Sequence, residues 1–146
     1  MNTKVSNYKN KIELNGKVVQ TLPNSLLSLQ KAVEKSKYIL DLQPDWDGES
    51  AEGYTKNTWI KSVSFLCEFS IDISNTFGKT PVTPTIYHGP EGSIDILWKT
   101  TDLNLLLNIP KDEQTATFSG ENSLGQEYEG SLNINNYSLS FLPHPF

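Results

Sequence analysis

The chain has 146 residues, of which 36% are hydrophobic and 20% charged, enough apolar material for one core and too much for a disordered chain. All twelve basic residues are lysine, and against seventeen acids they leave a net charge of −5. An acidic chain without arginine lacks the side chain that usually reads phosphate and guanine, so direct nucleic-acid binding is not expected.

The charge is uneven. Residues 1–37 carry a net of +5 and residues 38–146 a net of −10. The basic third reads as a solvated lysine-rich face. No apolar run reaches the roughly 18–20 residues needed to cross a bilayer, so no membrane association is expected. The N-terminal residues lack the apolar centre of a signal peptide, and the expected location is the cytoplasm. The lone Cys67 permits neither an internal disulfide nor a cysteine-based metal site.

Residues 1–22 form an N-terminal segment. Within it, 11–20 read as a short hairpin about Asn15-Gly16, a pair suited to a type I′ turn. Residues 23–78 read as helix, loop, helix. Leu22, Leu26, Leu29 and Val33 make one apolar stripe, Tyr38, Ile39, Leu40 and Leu42 extend the apolar character, and Pro44 stops the helix. The loop 43–54 holds Asp45, Asp47, Glu49 and Glu52 and no base. The second helix starts at Thr55 as N-cap, with Tyr54 and Trp59 as a hydrophobic staple, and ends at Gly78. Its stripe is Trp59, Val63, Leu66, Ile73 and Phe77, with Phe69 or Ser70 between.

Residues 82–146 read as a β-meander with a tail. Strands are expected at 84–88, 93–98, 103–109, 115–120, 126–134 and finally 137–142. The run 103–109 is the most apolar and is expected to lie near the centre. Pro143 and Pro145 keep the tail out of a central strand. The expected architecture is a single α+β domain, with two antiparallel helices on one face of an antiparallel β-meander of about four to six strands.

Two stretches carry a resemblance: Asp45-Trp46-Asp47-Gly48-Glu49-Ser50-Ala51 between the helices, and Gly89-Pro90-Glu91-Gly92-Ser93-Ile94-Asp95-Ile96-Leu97-Trp98 in a hairpin. Together they resemble a set of small uncharacterised bacterial proteins with a W-D-G-x-G-A-like loop and a D-G-G-[IV]-x-[LF]-x-W-like hairpin. The resemblance spans roughly residues 25–110 and departs at Ser50 and at Pro90-Glu91-Gly92. It implies a compact α+β protein of bacterial or phage type and carries no activity.

The chemistry of the loop first points to a metal, since Asp45, Asp47 and Glu49 alternate as in an EF-hand. That loop needs Gly at its sixth position and Glu at its twelfth, where this chain has Ser50 and Lys56. No metal and no cofactor are therefore expected. In the structural reading Trp46 anchors the loop beneath the helices, Asp47 caps backbone N–H groups and Gly48 turns the chain. The two histidines, His88 and His144, stand at no catalytic spacing, and no nucleophile elbow or phosphate loop occurs.

The leading expectation is a non-enzymatic, antitoxin-, immunity- or inhibitor-like module for a protein partner with a basic surface. Its candidate contacts are Asp45, Asp47, Glu49 and Glu52, with Phe141 and Phe146 in the tail. One alternative is a small-molecule sensor with a pocket lined by Trp46, Tyr87, His88 and Trp98, although Trp98 also sits on an apolar stripe. A second is an orphan hydrolase built on scattered carboxylates. A homodimer through an edge strand is compatible with each.

Overall fold

A computed structural model of the chain describes residues 10–141, with Phe141 described by its backbone. The tail contacts expected from the Phe146 ring and the Phe141 side chain lie outside this range.

The fold is α+β with two sheets. Strands β1 (Asn10–Leu14) and β2 (Lys17–Leu22) form a separate antiparallel hairpin. Asn15 and Gly16 take φ of 53° and 80°, the positive values that a type I′ turn needs. The α-helices are α1 (Leu27–Lys35) and α2 (Lys56–Phe77). Strands β3 (Thr85–His88), β4 (Ile94–Lys99), β5 (Leu103–Ile109), β6 (Thr115–Asn122) and β7 (Glu127–Asn133) form one antiparallel sheet in sequence order. Five strands fall within the expected range, and β5 is the central one. No helix among the described residues is long and apolar enough to cross a membrane.

One face of the sheet is the core face. The period of two puts Leu103, Leu105, Leu107 and Ile109 of β5 on it, all buried. The register sets Ile94 opposite Ile109, Ile96 opposite Leu107 and Trp98 opposite Leu105. These apolar pairs stabilise the ladder beyond their burial. Against them α2 packs Trp59, Val63, Leu66, Phe69 and Ile73, with Phe69 edge-on to Trp98 at 5.8 Å between ring centroids. Phe77, expected to end this stripe, is 42% exposed. Cys67 is fully buried beside it, and burial pushes its thiol up to about 12.

Helix α2 begins as expected, with the Thr55 hydroxyl accepting from the Thr58 N–H, and ends at Gly78. Lys61, on its first turns, reaches across to the β5–β6 turn. Its Nζ donates to the carbonyls of Pro110 at 2.7 Å, Lys111 at 3.2 Å and Glu113 at 2.8 Å. Burial holds this ammonium below its ordinary pKa. Replacing Lys61 with methionine keeps the stem and removes all three bonds. Urea denaturation of the variant is expected to show a loss of roughly 1–3 kcal/mol.

Two expected elements need correction. The first helix does not run α-helical to Leu42, because after Lys35 the chain tightens into a 3₁₀ stretch over Ser36–Asp41. The last strand does not form among the described residues: Leu139–Phe141 is a 3₁₀ turn, preceded by an isolated bridge between Asn133 and Asn136. Tyr137 packs on Phe65 and Phe69 and donates its hydroxyl to Asp72 at 2.9 Å, which draws this segment onto α2.

Candidate functional site

The acidic loop is a self-contained structure. Its base is closed by the Tyr54 N–H on the Leu42 carbonyl at 3.0 Å, and its neck by the Asp45 N–H on the Ala51 carbonyl at 2.8 Å. Two carboxylates organise the tip. Asp45 Oδ1 accepts from the Ser50 N–H at 2.8 Å. Asp47 Oδ1 accepts from the N–H groups of Glu49 at 2.8 Å and Ala51 at 3.1 Å. Gly48 turns the chain at φ 73°, and Asp45 and Ser50 also take positive φ, 64° and 67°. The capping role expected for Asp47 is present, and Asp45 shares it. These two acids therefore hold the loop, whereas Glu49 and Glu52 project from it as exposed side chains.

The backbone N–H of Glu49 first, with that of Ala51, holds the Asp47 carboxyl below its ordinary value of 3.8. A lowered carboxylate pKa supports the loop above the unfolded value and ceases to do so as pH falls through the folded one. The tip is thus expected to keep its form well above pH 3.8 and to loosen only below it. The chemical shifts of the Glu49 and Ala51 amides, followed against pH, check this; in Asp47→Ala the loosened shifts persist at every pH.

The second motif forms the facing wall. The β3–β4 turn is closed by the Gly89 N–H on the Ser93 carbonyl at 2.8 Å and by the Ser93 N–H on the Pro90 carbonyl at 3.0 Å. Glu91 holds φ 55°, a strained value for a residue with a side chain. The Tyr54 hydroxyl donates to the Gly89 carbonyl and ties the two loops together.

Four rings meet at this junction. Tyr38 comes from the 3₁₀ stretch, Trp46 from the loop, Tyr54 from the entry to α2 and His88 from the end of β3. His88 lies 5.2 Å from Trp46, 5.7 Å from Tyr38 and 6.1 Å from Tyr54 between centroids, each nearly edge-on. Its Nδ1 shares a 2.8 Å hydrogen bond with the Tyr38 hydroxyl. The indole Nε1 of Trp46 donates to the Glu52 carbonyl at 2.9 Å. Beside the rings opens a cleft of about 550 Å³, whose lining includes Trp46, Glu52, Tyr54, His88 and Glu91. Burial first, then Tyr38 and the carboxylates of Asp95, Asp47 and Glu52, push the Tyr54 hydroxyl above its ordinary pKa. Glu52 also faces the Lys111 ammonium at 3.8 Å, a long and exposed pair worth little.

The fold thus gathers Trp46, Asp47, Glu52 and His88 of the expected residues. Trp46 is not tucked under the helices; it is 39% exposed at the cleft. Trp98 does not line this cleft. It is wholly buried on the core face, and its Nε1 has no hydrogen-bond partner among the described residues. Tyr87 lines a separate groove of about 430 Å³ between α1 and β3, beside Lys31 and Lys35. Sequence reasoning missed Tyr38, Tyr54 and Glu91 as site residues. Tyr38 read as the end of a helix stripe, Tyr54 as a staple and Glu91 as part of a plain turn. Compared with protein families, with curated proteins and with solved structures, the chain finds no match in any of the three.

Proposed function

We propose that this chain is a non-enzymatic protein-binding module, acting in the cytoplasm on a basic partner in the manner of an antitoxin, immunity or inhibitor protein. The observation that carries this reading is the set of exposed rings Tyr38, Trp46 and His88, seated on the buried Tyr54 beside the acids Glu52 and Glu91. Solvent-facing tryptophan and tyrosine are the side chains that most often dominate interfaces. Here they are held in place before any partner arrives, which lowers the entropy cost of docking. Three of the four described non-glycine residues with positive φ, Asp45, Ser50 and Glu91, sit in the two loops that build the cleft. Strained backbone of this kind collects at binding and active sites. Acidic side chains at the rim add steering towards a basic surface.

The test is capture of the partner from the native host with the tagged chain, followed by affinity measurement on the purified pair. Trp46→Ala and the charge variant Glu49→Gln/Glu52→Gln are compared with the parent, and Asp45 and Asp47 stay intact because they build the loop. The expected result is a near-equimolar complex that Trp46→Ala weakens by more than 2 kcal/mol, about thirtyfold. The charge variant is expected to slow association and flatten its salt dependence. A partner bound equally well by both variants removes the cleft from the interface. A small molecule retained in native mass spectrometry, with no protein captured, replaces this reading with the sensor.

A further inference from the structure

We infer that the cleft beside Trp46 receives an arginine side chain of the partner, its guanidinium over the indole and paired with the carboxylates of Glu52 and Glu91. This deepens the partner-binding reading and rests on it.

The rings define the kind of ligand. The centroids of Trp46, Tyr54 and His88 stand only 5.2–6.4 Å apart, so these three rings pack on one another and leave no gap between them to enclose a compact ammonium. A cation must therefore lie on the outside of the cluster, over the exposed indole. A planar guanidinium suits that position, because it stacks on an aromatic face and still reaches carboxylates with its edge N–H groups. A hydrated lysine ammonium does not stack in this way.

Three polar handles of the rings are already engaged. Trp46 Nε1 holds the Glu52 carbonyl, the Tyr54 hydroxyl holds the Gly89 carbonyl, and the Tyr38 hydroxyl bonds His88. What these rings offer a ligand is π surface. The carboxylates of Glu52 and Glu91 line the same cleft and supply acceptors. Lys111 is the competing cation, yet its 3.8 Å pair with Glu52 is long and both side chains are exposed. A bidentate guanidinium displaces it readily.

The chain's own composition decides between a partner and a second copy. None of its 146 residues is arginine. A site selective for guanidinium cannot be filled by another copy of this chain, so the occupant comes from a different protein.

The experiment uses the full chain labelled with ¹⁵N, in which three tryptophans give three indole N–H resonances. Trp46→Phe assigns one of them to the cleft. The probes are acetyl-Gly-Arg-Gly-amide and its lysine and citrulline counterparts; citrulline keeps the shape and loses the charge. The expected result is a saturable shift of the Trp46 resonance with the arginine probe, weaker binding of lysine and no shift with citrulline. Resonances of the buried Trp59 and Trp98 stay in place and report that each variant is folded. Glu52→Gln/Glu91→Gln is expected to weaken the arginine probe roughly tenfold. Lysine binding as tightly as arginine, an equal response to citrulline, or no saturable shift of the Trp46 resonance overturns the inference. A partner that still requires Trp46 after such a failure leaves the binding module standing and removes only its arginine anchor; a partner indifferent to Trp46 removes the module's cleft as well.

Discussion

Replacing Trp59 with alanine is expected to lower the unfolding free energy by about 3–5 kcal/mol, the largest single-residue loss in this fold. Trp59 is wholly buried where α2 meets the 3₁₀ stretch. It fills core volume and also makes a bond, since its Nε1 donates to Ser36 Oγ at 2.9 Å. Ser36 in turn donates to the Val33 carbonyl at 2.6 Å. The alanine variant leaves a cavity and deprives a buried hydroxyl of a donor at once. Phenylalanine at the same place separates the two effects, because it keeps most of the volume and loses the N–H. Trp98 provides the control. It is equally buried, yet its Nε1 has no partner among the described residues. Trp98→Phe removes an N–H that was already unsatisfied, so that gain offsets part of the lost packing. Trp59→Phe is therefore expected to cost more than Trp98→Phe, by roughly 1–2 kcal/mol. Paired urea titrations check the order. Equal losses for the two phenylalanine variants mean that the bond to Ser36 contributes nothing.

The same serine explains where the sequence was legible and where it was not. Alternation made β5 plain, Asn15-Gly16 made the hairpin plain, and Thr55 and Gly78 marked both ends of α2. These are local signals, and each depends on a few neighbouring residues. The apolar stripe of α1 is equally local, and it correctly reported Leu26, Leu29 and Val33 as buried. It gave no sign that the helix tightens after Lys35. Ser36 bonds back to the Val33 carbonyl and receives Trp59 from 23 positions away, and the latter is a tertiary fact. Tyr137 misled for a similar reason. Its alternation with Leu139 and Phe141 reads as a strand, but its partners Phe65, Phe69 and Asp72 lie on α2. The site follows the same rule. Asp47 and Gly48 were readable because a turn is local. The meeting of Tyr38 with His88, fifty positions apart, was not.

The second large effect is expected at Gly53, and it links the fold to the site. A β-carbon there would stand 2.6 Å from Pro44 Cδ, 2.7 Å from Pro44 N and 3.0 Å from Gln43 C. None of these atoms can rotate away, since two are backbone and the third belongs to a proline ring. Gly53→Ala must therefore open the base of the loop, where the Tyr54 N–H meets the Leu42 carbonyl. Overpacking of this kind costs about 1–3 kcal/mol, or roughly 3–12 °C in melting temperature for a chain of this size. The functional loss is expected to exceed the loss of stability. Moving Tyr54 releases its hold on the Gly89 carbonyl and separates Trp46 from His88, so the cleft comes apart while the sheet behind it stays paired. Gly48→Ala is the comparison. It lies in the same loop at φ 73°, but a β-carbon there meets nothing within 4 Å. Its cost is about 1 kcal/mol of backbone strain with no displacement of the rings. Trp46 fluorescence separates the two outcomes, because it is the exposed tryptophan of the three. A red shift is expected for Gly53→Ala and none for Gly48→Ala. Partner capture should fail for the first and persist for the second. A Gly53→Ala protein that melts like the parent and keeps the parental emission would mean that the loop is not seated on Pro44, and the cleft would lose its foundation.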